Sequence, residues 1–280
     1  MPELAAGSVI YGYPEECARF RERHPLWEEM MANLVKAIDI AFMRVQTTQS
    51  SCERLVYFFG RVISEDFMEI ALVSQHGYGV AASKLVRSMY EYTVTLDYLH
   101  KHPEEADTFL DYHLIQQDKL LRRIVEIFGE DIIDAKTAAE VREKAAAVKP
   151  DFMIAVCDHL GAKERLNHTW NKLDFASMAK TTGVLGDLII PGYYLPLRHA
   201  HPTFGGFSER LEIVDGASSL KSESQPAVAD RSLMTAHNCI LFMLTVQKEH
   251  FKLGALEDPL QVCERDFLRM WTPDSQLLEP

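Results

Sequence analysis

Cysteine, glycine and proline are all scarce in this chain of 280 residues. Glycine occurs 14 times and proline 12 times, which argues against collagen-like and linker-rich architectures. The five cysteines are odd in number and widely spaced, and no Cys-x-x-Cys pair occurs. A disulfide framework is therefore not expected, and the pattern predicts a reducing, cytoplasmic environment.

The chain also has no long apolar run and no excess of positive charge. Its longest uncharged stretch, 232–247, contains His237 and Asn238 and falls short of the roughly 20 apolar residues that span a bilayer. We interpret it as a buried core helix, and the N-terminus lacks the pattern of a signal peptide. The net charge of −12 argues against a broad nucleic-acid face and against anionic membranes, although a local basic site remains compatible with it.

Hydrophobic residues repeat with the period of an α-helix along most of the chain. Caps and Gly or Pro breaks divide this pattern into predicted helices at 26–46, 51–75, 79–100, 103–129, 135–148, 150–161, 174–183, 186–200, 231–252 and 258–271. The sequence thus predicts an all-α fold: a single-domain antiparallel bundle of about eight to ten helices.

This reading divides the chain into three parts. An N-terminal arm (1–25) precedes an all-helical domain (26–252), and a C-terminal helix and tail (253–280) follow. Residues 203–230 are rich in Gly and Ser and predict one long loop, in which 210–214 could form a single short strand.

Arg87 and Glu91 are the first candidate site residues. They stand four apart on an otherwise apolar helix, so both side chains lie on one face. Glu91 could hold the guanidinium toward a cavity, where it would bind a phosphate or carboxylate; alternatively, the pair is structural. Arg61, Glu65 and Glu69 also follow i+4 spacing, and we interpret them as a surface salt-bridge ladder.

A basic segment near position 200 is the second candidate. His199 and His201 lie beside Arg198 at a predicted helix end, where an imidazole could react or simply cap the helix. His-x-His can bind metal, but no His-Glu-x-x-His or Glu-x-x-His supplies further ligands, so we predict no metal site. Glycine-rich phosphate loops and dinucleotide fingerprints are absent as well, so no cofactor is predicted.

Arg231 and His237 match the Arg-x(4–6)-His pattern of the HEPN ribonucleases. In that pattern the two side chains meet at a helix start and act on RNA. About two matches are expected by chance in a chain of this composition, and two are present, the other being Arg19 with His24. The position of Arg231 at the start of a long predicted helix favours the first pair.

Three segments together resemble a known family. KLVRSMYEYTVTLDYL, TWNKLDFASMAKTTG and YYLPLRHAHPTFGGF resemble, over about residues 50–250, the bacterial family catalogued as domain of unknown function 5677. The matching positions are Arg87, Glu91, Trp170, Tyr194 and His201. The resemblance implies a helical bundle and a site but no reaction, and Arg198 stands where the family often has Ser.

Three functions remain open from the sequence, which names no reaction. The first is a binding or interaction module, in which Arg87, Glu91, Tyr194, Arg198 and His201 form a polar cluster that holds a small anion. The second is an HEPN-like, metal-independent ribonuclease or defence effector, with His201, Arg87, Arg231 and His237 as catalytic candidates. The third is a purely structural homo-oligomer; a homo-oligomer without membrane contact is expected in any case.

Overall fold

The computed structural model describes residues 12–43, 48–158, 161–214, 216–221 and 223–272. The all-α prediction is confirmed, since 78% of the structure is helical and its strands form only two small antiparallel pairs. The helices are α1 (Glu16–Arg23), α2 (Trp27–Phe42), α3 (Ser51–Gln75), α4 (Gly79–Lys101), α5 (Ala106–Phe128), α6 (Ala135–Val148), α7 (Phe175–Thr181), α8 (Val184–Asp187), α9 (Leu195–Ala200), α10 (Pro226–Phe251) and α11 (Glu257–Trp271). No helix in the described ranges is both long and apolar enough to cross a membrane.

Local capping signals set several helix ends where the sequence predicts them. The Ser50 hydroxyl accepts a hydrogen bond from the Glu53 N–H, and the Glu53 carboxylate accepts from the Ser50 N–H, which forms a capping box for α3. The Asp174 carboxylate accepts from the Ser177 N–H at 2.7 Å and caps α7. Gly129 ends α5 at φ 93°, a conformation that few other residues adopt.

The chain divides into two compact units: unit 1 comprises residues 1–100 and 179–280, and unit 2 comprises residues 101–178. One boundary lies at the last turn of α4 and the other lies inside α7. Because neither boundary is a linker, no Pro-, Gly- or Ser-rich segment marks it, and the sequence predicts one domain over 26–252.

Unit 1 is built around α10. The uncharged stretch 232–247 is a buried core helix, as predicted, and it packs along α3. The fully buried Gln247 donates from Nε2 to the Val56 carbonyl at 2.7 Å and ties the two helices together. Gly60 permits this approach, because a Cβ there would lie 2.5 Å from Gln247 Nε2. Helix α2 packs against α11 in the same unit.

Unit 2 has a small core of its own. Helices α5 and α6 pack together, and a hairpin of β1 (Met153–Asp158) and β2 (Gly161–Leu166) follows them. Its buried cluster consists of Tyr112, Ile115, Ala145 and Phe152, with Val148, Leu166 and Trp170 packed against it.

The helix predicted over 150–161 is wrong. Lys149–Phe152 forms a 3₁₀ turn, and β1 then pairs with β2, with Ile154 opposite Arg165. The β-branched Ile154 and Val156 favour extended backbone. A window of twelve residues is too short for periodicity alone to separate a buried strand from a helix.

The long loop predicted over 203–230 is not observed in the described residues of that range. Two 3₁₀ turns (Phe204–Gly206 and Ser208–Arg210) lead into a hairpin of β3 (Leu211–Val214) and β4 (Ala217–Leu220). The short strand expected at 210–214 is thereby confirmed as β3. Residues 215 and 222 lie outside the described ranges.

One helix start differs from the sequence interpretation, and one helix lies where the sequence predicts an arm. Helix α10 begins at Pro226 rather than at 231, because proline suits the first helical position, where its missing N–H is not needed. The expected cap, Asp230, lies inside the helix and pairs instead with His24 Nε2 at 3.1 Å. Within the predicted N-terminal arm, α1 forms a helix whose Phe20 is fully buried.

Candidate functional site

Tyr90, a buried tyrosine of α4, contacts both α8 and the π turn (Ile190–Tyr194) that follows it. The Tyr90 hydroxyl donates to the Leu185 carbonyl at 2.7 Å. Gly192 lies on the face of the Tyr90 ring, where a Cβ would come within 2.6 Å of a ring carbon. Burial raises the pKa of the Tyr90 hydroxyl above its ordinary value, so it remains a neutral donor. These contacts position α9, which continues directly from the π turn.

Arg87 and Glu91 form the ion pair that their spacing predicts. Arg87 Nε donates to Glu91 Oε1 at 2.9 Å, and the guanidinium lies 4.9 Å from the centre of the Tyr193 ring. The two side chains are 25% and 41% exposed, so the pair lies at the edge of the core rather than inside it. The Arg87 guanidinium thus pairs with the Glu91 carboxylate and packs against the Tyr193 ring. Through the second contact, Arg87 supports the π turn.

Tyr194 and His201 do not join this pair. Tyr194 is 45% exposed and contacts the Tyr193 ring, while His201 is exposed at the end of α9. Neither side chain makes a hydrogen bond or ion pair with Arg87 or Glu91 among the described residues. The aromatic contact of Arg87 is Tyr193 rather than Tyr194, the tyrosine that the family resemblance implies, and both tyrosines lie in the π turn.

A small basic pocket lies between the π turn, α9 and α10. Its volume is about 30 Å³, which leaves room for one or two water molecules or one small oxyanion. The polar side chains that line it are those of Ser83, Arg198, His199, Arg231 and Ser232. The described lining residues include no Asp or Glu, although the whole chain carries a net charge of −12.

The 3₁₀ turn after α9 orients two of the basic groups. Arg198 donates from Nη2 to the Gly205 carbonyl at 3.2 Å. His199 Nδ1 lies 3.4 Å from the Gly206 carbonyl, and a carbonyl can only accept. Nδ1 therefore carries the proton, which leaves Nε2 to accept from a ligand when the ring is neutral or to donate when it is charged. Gly206 packs directly on the Arg198 carbonyl, where a Cβ would not fit.

Arg231 is the third basic group, and its side chain is exposed. The Arg231 side chain makes no hydrogen bond or ion pair with any residue that the structure describes. Its position one turn into α10 brings it beside Ser232, which is largely buried. The guanidinium donors of Arg231 are therefore open to an incoming ligand.

His237 does not meet Arg231 at a common surface. The six-residue spacing separates them by about 120° around the helix axis. His237 is fully buried between the rings of Phe67 and Phe267, and its Nδ1 accepts from Trp271 Nε1 at 3.0 Å. Burial lowers the pKa of His237 to about 4, so the ring is neutral at neutral pH.

The remaining candidates are surface groups. Arg61 lies 4.0 Å from Glu65, with both side chains exposed, as a salt-bridge ladder predicts. The residues in the described ranges hold no group of three or more His, Cys, Asp or Glu side chains that could bind a metal ion.

The fold and the pocket define an all-α protein with a small cationic cavity beside its central helices. Residues 54–218 match the family described as a family of unknown function (DUF5677), and the chain belongs to that family. The match includes Ser83, Arg87, Arg198 and His199 and ends before Arg231. No match was found among curated proteins or among solved structures.

Proposed function

We propose that the protein is a binding protein for a small oxyanion, with inorganic phosphate as the reference ligand. One observation carries this proposal: Arg198, His199 and Arg231 surround a pocket that no described carboxylate lines. The Arg231 side chain makes no hydrogen bond or ion pair with the described residues, and an anion in the pocket would pair with its charge. In a chain with a net charge of −12, such a concentration of positive charge is unexpected.

The donors around the pocket suit an oxyanion. The guanidinium of Arg231 offers several N–H groups in a fixed plane, which matches the oxygen spacing of phosphate or carboxylate. His199 contributes Nε2, and Ser83 contributes a hydroxyl, whereas the Ser232 hydroxyl already donates to the Val228 carbonyl. The volume of about 30 Å³ favours an inorganic ion over a nucleotide.

Arg87 and Glu91 belong to this proposal as positioning residues. Arg87 lies one helical turn after Ser83 on α4 and stacks on Tyr193 of the π turn. This stack holds the segment that leads to Arg198 and His199. The exposed Tyr194 and His201 have no part in the pocket.

Thermal unfolding in the presence of anions tests the proposal. At constant ionic strength, phosphate at about 100 times its Kd should stabilise the wild-type protein by about 2.7 kcal/mol. Arg231→Ala should lose most of this stabilisation. Arg265→Ala removes an equally exposed arginine from α11 and should respond like the wild type. An anion response that is identical in wild type and Arg231→Ala would contradict the proposal.

Ribonuclease activity is the competing outcome. It is less well supported, because His237 is fully buried and bonded to Trp271, where RNA cannot reach it. Metal-independent cleavage of RNA that is lost in both Arg231→Ala and His237→Ala would favour the ribonuclease instead. The Arg265→Ala protein again serves as the control.

The proposed compartment is the cytoplasm. Cys17, Cys52, Cys239 and Cys263 are free thiols in the structure, and all but Cys17 are buried. Burial raises the pKa of Cys239 to about 12, so this thiol is inert. Self-association into a homo-oligomer also remains part of the proposal, and the mass in solution tests it.

A further inference from the structure

We propose that unit 2 carries a second binding site, for an organic phosphate or a similar polyanion with an apolar body. The site is a groove between α5, α6 and β2, with a volume of about 530 Å³. That volume lies within the range of roughly 300–1,000 Å³ that is usual for small-molecule sites. The groove shares no residue with the pocket of unit 1.

Positive charge is concentrated in this groove. Its described lining includes five cationic side chains, those of Lys119, Arg122, Arg142, Lys149 and Arg165, and two carboxylates, those of Asp118 and Glu164. Residues 101–178 contain eleven basic and fifteen acidic residues in total. Nearly half of the basic residues of an acidic unit therefore line one cavity, against two described carboxylates.

Three of these cations have no side-chain partner among the residues that the structure describes. Arg122 pairs with Asp118, and Lys119 donates to the Tyr112 hydroxyl at 3.2 Å. The side chains of Arg142, Lys149 and Arg165 make no hydrogen bond or ion pair with any residue in the described ranges. All three are exposed, so they offer a positively charged surface that would attract a ligand with two or more negative charges.

The floor of the groove indicates the rest of the ligand. Ile115 and Ala145 belong to the buried core of unit 2, and Met153 and Leu166 extend the apolar surface toward the hairpin. The described lining residues include no aromatic ring, so the groove lacks the platform on which a nucleobase stacks. An aliphatic or similarly apolar body with a phosphate head fits these features better than a nucleotide does.

Isothermal titration with octyl phosphate, below its critical micelle concentration, tests this site. The experiment uses the full-length Arg231→Ala protein, in which the pocket of unit 1 is disabled. We expect one octyl phosphate per chain, with binding that weakens as NaCl is added. Octanol, which lacks the charge, and inorganic phosphate, which lacks the apolar body, should each bind at least tenfold more weakly.

The variant Arg142→Glu/Lys149→Glu should weaken octyl phosphate binding at least tenfold. Lys144 lies on α6 with Arg142, is exposed and does not line the groove, so Lys144→Glu controls for a general change in charge. Arg165→Gln gives an independent test from β2 if the double variant does not fold. Equal weakening by Lys144→Glu, unchanged binding in Arg142→Glu/Lys149→Glu, or no binding by the starting protein would each overturn the proposal.

The same titrations separate this site from the proposed oxyanion pocket. If Arg231→Ala removes the response to inorganic phosphate but retains octyl phosphate binding, the two sites are independent. Binding of adenosine monophosphate as tight as that of octyl phosphate would contradict the apolar-body assignment. Loss of octyl phosphate binding in Arg231→Ala, with wild-type binding intact, would place the ligand in unit 1 and remove the second site.

Discussion

At the scale of single residues, burial distinguishes residues that the sequence leaves equivalent. Arg231 and His237 stand six residues apart on one helix, yet the first is exposed and the second is fully buried. A motif records spacing but not which side of the helix faces the core. The contact between His237 of α10 and Trp271 of α11 joins two residues that are 34 positions apart, and nothing local in the sequence indicates it.

His237 should make the protein sensitive to acid. Its folded pKa of about 4 lies below the ordinary value of 6.5, so between these pH values the unfolded chain holds a proton that the folded chain does not. Stability should therefore fall as the pH drops from 6.5 toward 4, by up to about 3 kcal/mol in total. Urea unfolding at a series of pH values measures this loss.

His237→Gln removes the titration and serves as the comparison. Asp66 should have the opposite effect on acid stability. Burial raises its pKa to about 6, so as the pH falls the folded protein binds this proton before the unfolded chain does. Asp266 also favours the charged form of His237 and reduces the effect. Only the difference between the two proteins isolates His237, and equal acid slopes would contradict the prediction.

The candidate site is predicted only in part by the sequence. The i,i+4 spacing of Arg87 and Glu91 is enough to predict their ion pair, because a regular helix places both on one face. Arg198, a candidate from the sequence, lines the pocket, and its role in binding stays a prediction. His199 and Arg231 reach the same pocket because the π turn that leads into α9 packs against α10, and that long-range arrangement has no local signal.

At the scale of secondary-structure elements, ends with a chemical cap are predicted well. The start of α3 at Ser51 and the end of α5 at Phe128 both follow from neighbouring residues. The β1–β2 hairpin is missed because strand pairing depends on residues outside the window that periodicity uses. The π turn is missed because it depends on the packing of Gly192 against Tyr90, which lies about 100 residues earlier in the chain.

Gly192→Ala should destabilise the protein through the π turn. The added Cβ would lie 2.6 Å from the buried Tyr90 ring, which has little room to move. Overpacking of this kind costs about 1–3 kcal/mol. Chemical denaturation measures this loss of unfolding free energy. Because the π turn positions Arg198 and His199 on α9, phosphate should also stabilise the Gly192→Ala protein less than the wild type.

Gly254→Ala provides the matched control for this substitution. A Cβ at Gly254 would meet nothing within 4 Å, so this change should be neutral or slightly stabilising. Equal destabilisation by both substitutions would show that the close approach of Gly192 to Tyr90 has no special role.

At the scale of the whole molecule, charge is unevenly distributed. The chain carries a net charge of −12, yet three basic groups line the pocket in unit 1 and five line the groove in unit 2. Composition alone argues against a broad basic face, and that stays a prediction. It cannot predict the local cavities, because folding, and not the order of residues, brings these cations together.

This distribution predicts opposite effects of salt on stability and on binding. Screening weakens the repulsion among the excess carboxylates, so the melting temperature of the ligand-free protein should rise from low to physiological ionic strength. Octyl phosphate binding to the groove should weaken over the same range, since salt screens its attraction to Arg142 and Lys149. Differential scanning calorimetry and titration at matched NaCl concentrations measure both effects.

Chloride offers a second route to stabilisation, because it could bind between Arg198 and Arg231. The Arg231→Ala protein distinguishes the two causes. General screening predicts the same rise in melting temperature as in the wild type, apart from the small effect of one lost charge. Chloride binding predicts that the rise largely disappears. A wild-type protein whose melting temperature falls with NaCl would contradict both, and would mean that attractive pairs such as Arg87–Glu91 outweigh the net repulsion.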